Sequence, residues 1–367
     1  MEAPDYVLDP DGDVIITLRN FNAPFPILPF DETLSAWENV PQIAVGGQIV
    51  ETGLPIEAAP PEVVEEVLPI NVEEPAPEAV EEVLPIEAEE PAPEAVEEDS
   101  GNIWPMEDPF VESPIPSVRL QVSSAHLRLV SSYFKKALDG PFKESHSTTD
   151  GLRHIDADDW DTEAFLIVMR IIHGQNRLVS RSLDLEMLAK VAAIVDYYQC
   201  HEMLEPFAEI WHLQRKEALI PGTVSRDLIL LLFVSWVLRW SEEFKAVTRI
   251  AQTQSKGPLS TMGLPIPERI ISVIDQQRQE TLHNISLVLD DLLDRFRKEP
   301  ADCSEACSSM QLGALERRLL HQKELQFHAS RDKSLIGYSV ALAMKAIREI
   351  KSPDWYKELK TGYRGQH

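Results

Sequence analysis

The sequence predicts an α+β fold: a small sheet braced by helical hairpins, followed by an all-helical C-terminal region. Three observations lead there. Two short runs read as strands: "DVIITL" at Asp13–Leu18 by its β-branched content, and "SVRLQV" at Ser117–Val122 by its period-two alternation. The stretch "HLRLVSSYFKKALDGPFKES" places Leu127, Val130, Phe134 and Leu138 in steps of three and four, as on one helix face. From residue 161 onward, apolar stripes at helical spacing dominate. The expected organisation is a first domain over 1–214, interrupted at 20–115 by an acidic Pro/Glu-rich repeat insertion, and a helical region over 222–360.

The elements follow in order. "DPDG" reads as a turn leading into the first strand. That strand is apolar throughout after Asp13, so a covered position in the sheet is expected. The chain then enters "VEEVLPINVEEPAPEA", repeated as "VEEVLPIEAEEPAPEA" with a period of 16 that matches Glu65 to Glu81 and Pro69 to Pro85. Prolines break ladders and the glutamates repel one another, so residues 45–100 read as a disordered, extended linker. The alternative is an acidic docking tract in which "VLPI" recurs as an apolar anchor. Order resumes near Pro116. In the next strand Val118, Leu120 and Val122 share one face. In the helical stretch that follows, the Ser131-Ser132 pair allows two short helices as readily as one long one, and Gly140-Pro141 is a stop.

A short strand around His154-Ile155 comes next. It leads to an aspartate-rich cap and a helix over Asp161–His173, with Gly174 as its C-cap. This helix carries Ala164, Phe165, Ile167, Val168, Met169, Ile171 and Ile172, more than one core-facing stripe requires, so part of it is expected to face a partner. Leu185, Leu188, Val191, Ala192 and Val195 form another stripe, capped by Ser182 or Asp184. "EMLEPFAEIWHLQ" is a further helix. Beyond it, Asp227–Trp240 and "SEEFKAVTRIAQ" form a pair, separated by Pro265-Ile266-Pro267 from "ERIISVIDQQRQETLHNISLVLDDLLDRF". That last segment is long for one helix, yet no Pro or Gly interrupts it. "CSEACSSMQLGALERRLLHQ", "GYSVALAMKAIREI" and "SPDWYKEL" complete the set.

Charge excludes some classes of function. The chain has 61 acidic and 34 basic residues, a net charge of −27. Residues 20–118 contain 23 acids and no Lys or Arg; subtracting those 23 from the net −27 leaves −4 for everything else. Direct nucleic-acid binding, which needs clustered basic charge, is not expected. The most apolar run, Leu228–Leu238, has eleven residues. A membrane span needs about 20, so it reads as a buried helix. Three cysteines, Cys200, Cys303 and Cys307, are too few for a disulfide scaffold. They fit a reducing compartment, and nucleus or cytoplasm is the expected location.

Neither a cofactor nor catalysis is expected. Cys303 and Cys307 share a helix face, and with His173, His201 or His212 they would offer zinc ligands. Structural zinc takes four ligands at tighter cysteine spacing, so both cysteines read as small buried residues. Asp156, Asp158 and Asp159 in "DADDW" would suit acid–base work if burial split their pKa values, but their place before a helix suits capping. No phosphate loop, zinc-protease or nucleophile-elbow motif is present.

Several of these residues resemble the BTB/POZ family. Asp13-Val14 matches its strand-opening pair. Leu127, Ser131 and Phe134 stand at the spacing of its helical hairpin, and Tyr198 with Cys200 matches the Tyr-x-Cys ending of filamentous-fungal members. "CSEACSSMQLGAL" resembles a region that follows the domain in such proteins. The resemblance covers nearly all the chain outside residues 20–115. Many dimeric members carry a helix before the first strand; only twelve residues precede Asp13 here, without a helical pattern, which leaves homo-oligomerisation open. Where transcription-factor members place a basic residue shortly before the hairpin Leu, this chain has Ser124. The resemblance implies a protein–protein interaction module. One family role is a substrate adaptor that binds a cullin scaffold of a ubiquitin ligase. The second reading is a transcription-associated regulator that works through protein partners, with the acidic tract as an activation-like segment.

Overall fold

The computed structural model describes residues 3–26, 116–215, 218–298, 304–329 and 335–351. The chain divides at Ala44–Ser113, and the fold below belongs to the unit formed by Met1–Ile43 and Pro114–His367. The acidic repeat, Cys303, the "SPDWYKEL" segment and the C-terminal tail lie outside the described residues.

A mixed four-stranded sheet begins the fold. It comprises β1 (Tyr6–Val7), β2 (Val14–Arg19), β3 (Ser117–Val122) and β4 (Arg153–Asp158), in the order β1-β3-β2-β4. β2 pairs antiparallel with β3, Val14 opposite Val122 and Ile16 opposite Leu120, and parallel with β4. Its inner position explains its continuous apolar run: Val14, Ile15, Ile16 and Leu18 are all buried. β3 sits between β1 and β2 and buries Leu120 and Val122, as its alternation requires. The two-residue β1, parallel to β3, has no counterpart in the sequence reading.

The hairpin is two helices, α1 (Ser124–Val130) and α2 (Ser132–Asp139). Ser131 breaks them apart with an extended backbone and then caps α2, its Oγ accepting from Phe134 N at 3.0 Å. Helix α3 (Thr162–Ile172) is capped by Asp161, whose carboxylate accepts from the amides of Glu163 and Ala164. The expected aspartate cap is therefore corrected in detail. Asp156 and Asp158 belong to strand β4, where Asp156 pairs with Arg19 at 2.9 Å and with Lys143 at 3.0 Å. Gly174, at φ +70°, follows the end of α3 in the left-handed conformation that suits glycine.

The expectation that α3 faces a partner is also corrected. Ala164 to Met169, Ile171 and Ile172 are all buried, because α1, α4 (Leu185–Tyr198) and α5 (His201–Arg215) close around the helix. Its apolar surplus serves a centre covered on several sides.

The core does not stop at residue 214. Helix α6 (Arg226–Val237) packs on α4 and on α7 (Ser241–Gln254), and one continuous apolar cluster runs from Leu8 to Ile274. Leu228 to Ser235 are buried without exception, as expected of an inner helix. Among the described residues, no helix is long and apolar enough to cross a membrane. Helix α8 (Glu268–Lys298) is one unbroken helix of 31 residues. Its start contributes Ile270, Ile271 and Ile274 to the first cluster. Its later turns contribute Leu282, Leu289 and Leu293 to a second, shared with α9 (Glu305–His321) and α10 (Val340–Arg348). Between the two clusters lies Arg278, fully buried. It holds Asp275 at 2.8 Å and donates to the carbonyls of Leu335 at 2.7 Å and Tyr338 at 3.0 Å.

Candidate protein-binding surface

Three elements meet where α2 begins: the N-terminus of α2, the C-terminus of α4 and the loop between β4 and α3. Ser131 joins the first two. Besides capping α2, its hydroxyl donates to the carbonyl of Tyr198 at 2.5 Å. Gln199 ends α4 in a left-handed conformation and bonds the Ser132 hydroxyl. The third element is tied in by Trp160, whose Nε1–H donates to the Tyr198 hydroxyl at 3.2 Å.

Around these bonds the aromatic rings form two layers. In the inner layer Phe134 and Tyr198 stack with centroids 4.6 Å apart and planes 8° from parallel, and Phe165 of α3 meets Tyr198 edge-on. Both Phe134 and Tyr198 are buried, and burial pushes the Tyr198 hydroxyl pKa up. In the outer layer Tyr133, Tyr197 and Trp160 continue outward. Tyr197 lies 5.3 Å from Tyr133 and 5.4 Å from Trp160. Tyr133 is 38% exposed and Tyr197 51%. Partial burial and the adjacent Tyr197 push the Tyr133 hydroxyl up to about 12, so it is a neutral donor at physiological pH. Large amphipathic rings of this kind are enriched at protein interfaces.

The residues singled out in the sequence divide into four places. Ser131, Phe134 and Tyr198 come together here. Val14 and Leu127 lie in the apolar core beneath. Asp13 sits at the far end of α1 and does a capping job there. Ser123, at the N-cap position, makes no side-chain cap bond. Instead Asp13 accepts from the Ser124 amide and hydroxyl, both at 2.8 Å, and from Arg153 at 2.5 Å. Burial opposes the charge on Asp13, but the Ser124 bonds and Arg153 outweigh it and hold the carboxyl below its usual range. Arg128 donates to the same Ser124 hydroxyl and pairs with Asp139. Cys200 is buried one residue past the end-cap of α4, and burial pushes its thiol up to about 12, far from a reactive thiolate.

The outer residues Tyr133, Tyr197 and Trp160 were not singled out in the sequence. Their signal was adjacency: each tyrosine directly precedes a core aromatic, and neighbouring helical positions point about 100° apart. Among the described residues, no three His, Cys, Asp or Glu side chains gather to hold a metal ion. The histidines considered for zinc are engaged elsewhere, His173 with Ser123 and Met169, His201 with Asp196 and His212 with Glu243. No protein-family model matches the chain, and no curated protein matches it.

Proposed function

We propose that this chain is a non-enzymatic protein-interaction module of the BTB/POZ kind. It acts as an adaptor, with the Tyr133–Tyr197–Trp160 surface as its contact for another protein. The observation that carries the reading is the aromatic pair left open to solvent directly above a locked aromatic core. Tyr and Trp dominate the residues that carry binding energy at interfaces, and contiguous exposed apolar groups mark such sites. The order of strand, split helical hairpin and later helices, with Asp13, Leu127, Ser131, Phe134, Tyr198 and Cys200 in structural roles, supports the family resemblance. Within that family, bridging a substrate to a cullin scaffold is the adaptor role proposed here, in the nucleus or cytoplasm.

The test is capture of a purified cullin scaffold by wild-type protein and by the double variant Tyr133→Ser, Tyr197→Ser. The variant keeps its fold and loses capture at least tenfold. A folded variant that captures the scaffold as well as wild type removes this surface from the contact. A wild type that captures none removes the cullin role.

A further inference from the structure

A second feature lies at the opposite end of α1, away from the aromatic surface. His173, at the C-terminus of α3, uses both ring nitrogens. Nδ1 meets the carbonyl of Met169 at 2.8 Å, and Nε2 lies 3.0 Å from the backbone amide of Ser123, the residue that opens α1. A carbonyl can only accept and an amide N–H can only donate. The bonds therefore fix the tautomer: Nδ1 carries the proton and Nε2 must be bare. A protonated imidazole has no acceptor, so charging the ring breaks its bond to α1.

We propose that His173 is a proton-gated latch: neutral, it ties the start of the α1–α2 hairpin to the end of α3, and protonated, it releases that end. The neighbouring groups favour release by a narrow set of charges. His126 of α1 lies with its ring 5.2 Å from that of His173, and a charge there opposes a second one. Asp9, in the turn between β1 and β2, acts the other way. Among the described residues, α4 and α5, which also pack on α3, bring no charged group to bear on the ring. Burial comes first among the causes that hold the His173 pKa below the ordinary 6.5. The second tie at this end is Asp13, which accepts from the next amide, Ser124, and stays charged well below the range in which a histidine titrates. Acid therefore releases the Ser123 bond first and leaves the Ser124 bond in place, so the helix end loosens without unfolding.

The sign follows from linkage. The open state binds its proton at about 6.5 and the closed state at lower pH. The latch holds fully above 6.5 and weakens as pH falls toward the closed-state value, by at most about tenfold per pH unit.

The test is amide hydrogen exchange at Ser123 and Leu127, from pH 7.5 to 5.5 and corrected for intrinsic rates, in wild type and His173→Gln. Glutamine keeps an acceptor near the Nε2 position and does not titrate. Protection in wild type falls severalfold below pH 6.5, and the His173→Gln variant stays flat. A flat wild type, or a variant that titrates in parallel with it, overturns the proposal. So does a pH dependence that vanishes in His126→Gln but survives in His173→Gln. Should the glutamine variant fail to fold, ¹⁵N imidazole spectra of the wild type decide: the proposal requires the Nδ1–H tautomer at pH 7.5, and the Nε2–H tautomer overturns it.

Discussion

Replacing Ser131 by alanine removes one oxygen and two hydrogen bonds, so its effect can be worked through. The hydroxyl is buried, accepts from the Phe134 amide and donates to the Tyr198 carbonyl. Losing the cap leaves the first turn of α2 without its side-chain acceptor, worth about 1 kcal/mol. Losing the donor strands the buried Tyr198 carbonyl, worth about 1–3 kcal/mol. No large cavity opens, because only one oxygen is gone. The expected loss is about 2–4 kcal/mol, read as a lower urea midpoint at unchanged slope. Lys135→Ala is the control, since Lys135 is exposed; it should lie within about 0.5 kcal/mol of wild type. A Ser131→Ala loss no larger than that of Lys135→Ala would mean that the hydroxyl does not join α2 to α4.

Phe134→Ala, which empties the ring stacked on Tyr198, should destabilise by about 3–5 kcal/mol, whereas Lys135→Ala on the exposed side should change little; thermal melts separate the two. Arg278→Met leaves Asp275 and the carbonyls of Leu335 and Tyr338 without their buried partner. It should cost about 3–5 kcal/mol and weaken the C-terminal cluster first, seen as faster amide exchange in α10 than in α4. Replacing residues 27–115 with a linker of about eight residues should leave the β2–β3 ladder intact. It should raise stability by about 2 kcal/mol, because the closed loop shrinks while its ends stay paired; a destabilised variant would show that the segment contributes packing.

The sheet was readable because strand periodicity is local. Val14–Leu18 and Val118–Val122 each declare themselves within six residues, whatever the length of the insertion between them. Strand β1 was not readable. Two residues show no period, and Tyr6 and Val7 are held by pairing with Leu120 and Gln121, which lies more than a hundred positions away. The Ser131 break was visible as an ambiguity, which its buried bond to Tyr198 resolves. For α3 the sequence misled. A helix enclosed on several sides and a helix with one face for a partner both carry a surplus of apolar residues, and only the placement of α1, α4 and α5 distinguishes them. The same ambiguity hid the continuity of the core, since the run at Leu228–Leu238 announces burial but not the helix that buries it. The polar ties were the least legible. Asp13 caps a helix that begins 111 positions later, and Arg278 bonds carbonyls 57 and 60 positions away.

Under the proposed function, the aromatic pairs let stability and recognition share two short segments. Tyr133-Phe134 opens α2 and Tyr197-Tyr198 closes α4, and in each pair the second ring is buried and the first faces outward. The inner rings stack on each other, and the outer tyrosines rest on them and on one another. An exposed tyrosine held in this way loses little rotamer freedom when a partner covers it, so more of its contact energy appears as affinity. That rigidity depends on Ser131, Trp160 and Gln199, whose bonds fix the two helix ends and the loop beside them. The two roles are separable by mutation. Changes at Phe134, Tyr198 or Ser131 act on the fold and only thereby on the surface. Changes at Tyr133 or Tyr197 should leave the inner stack in place and, under the proposed function, act on binding alone. The difference in outcome between neighbouring positions on the same helix turn is what tells a recognition surface from the outer rim of a core.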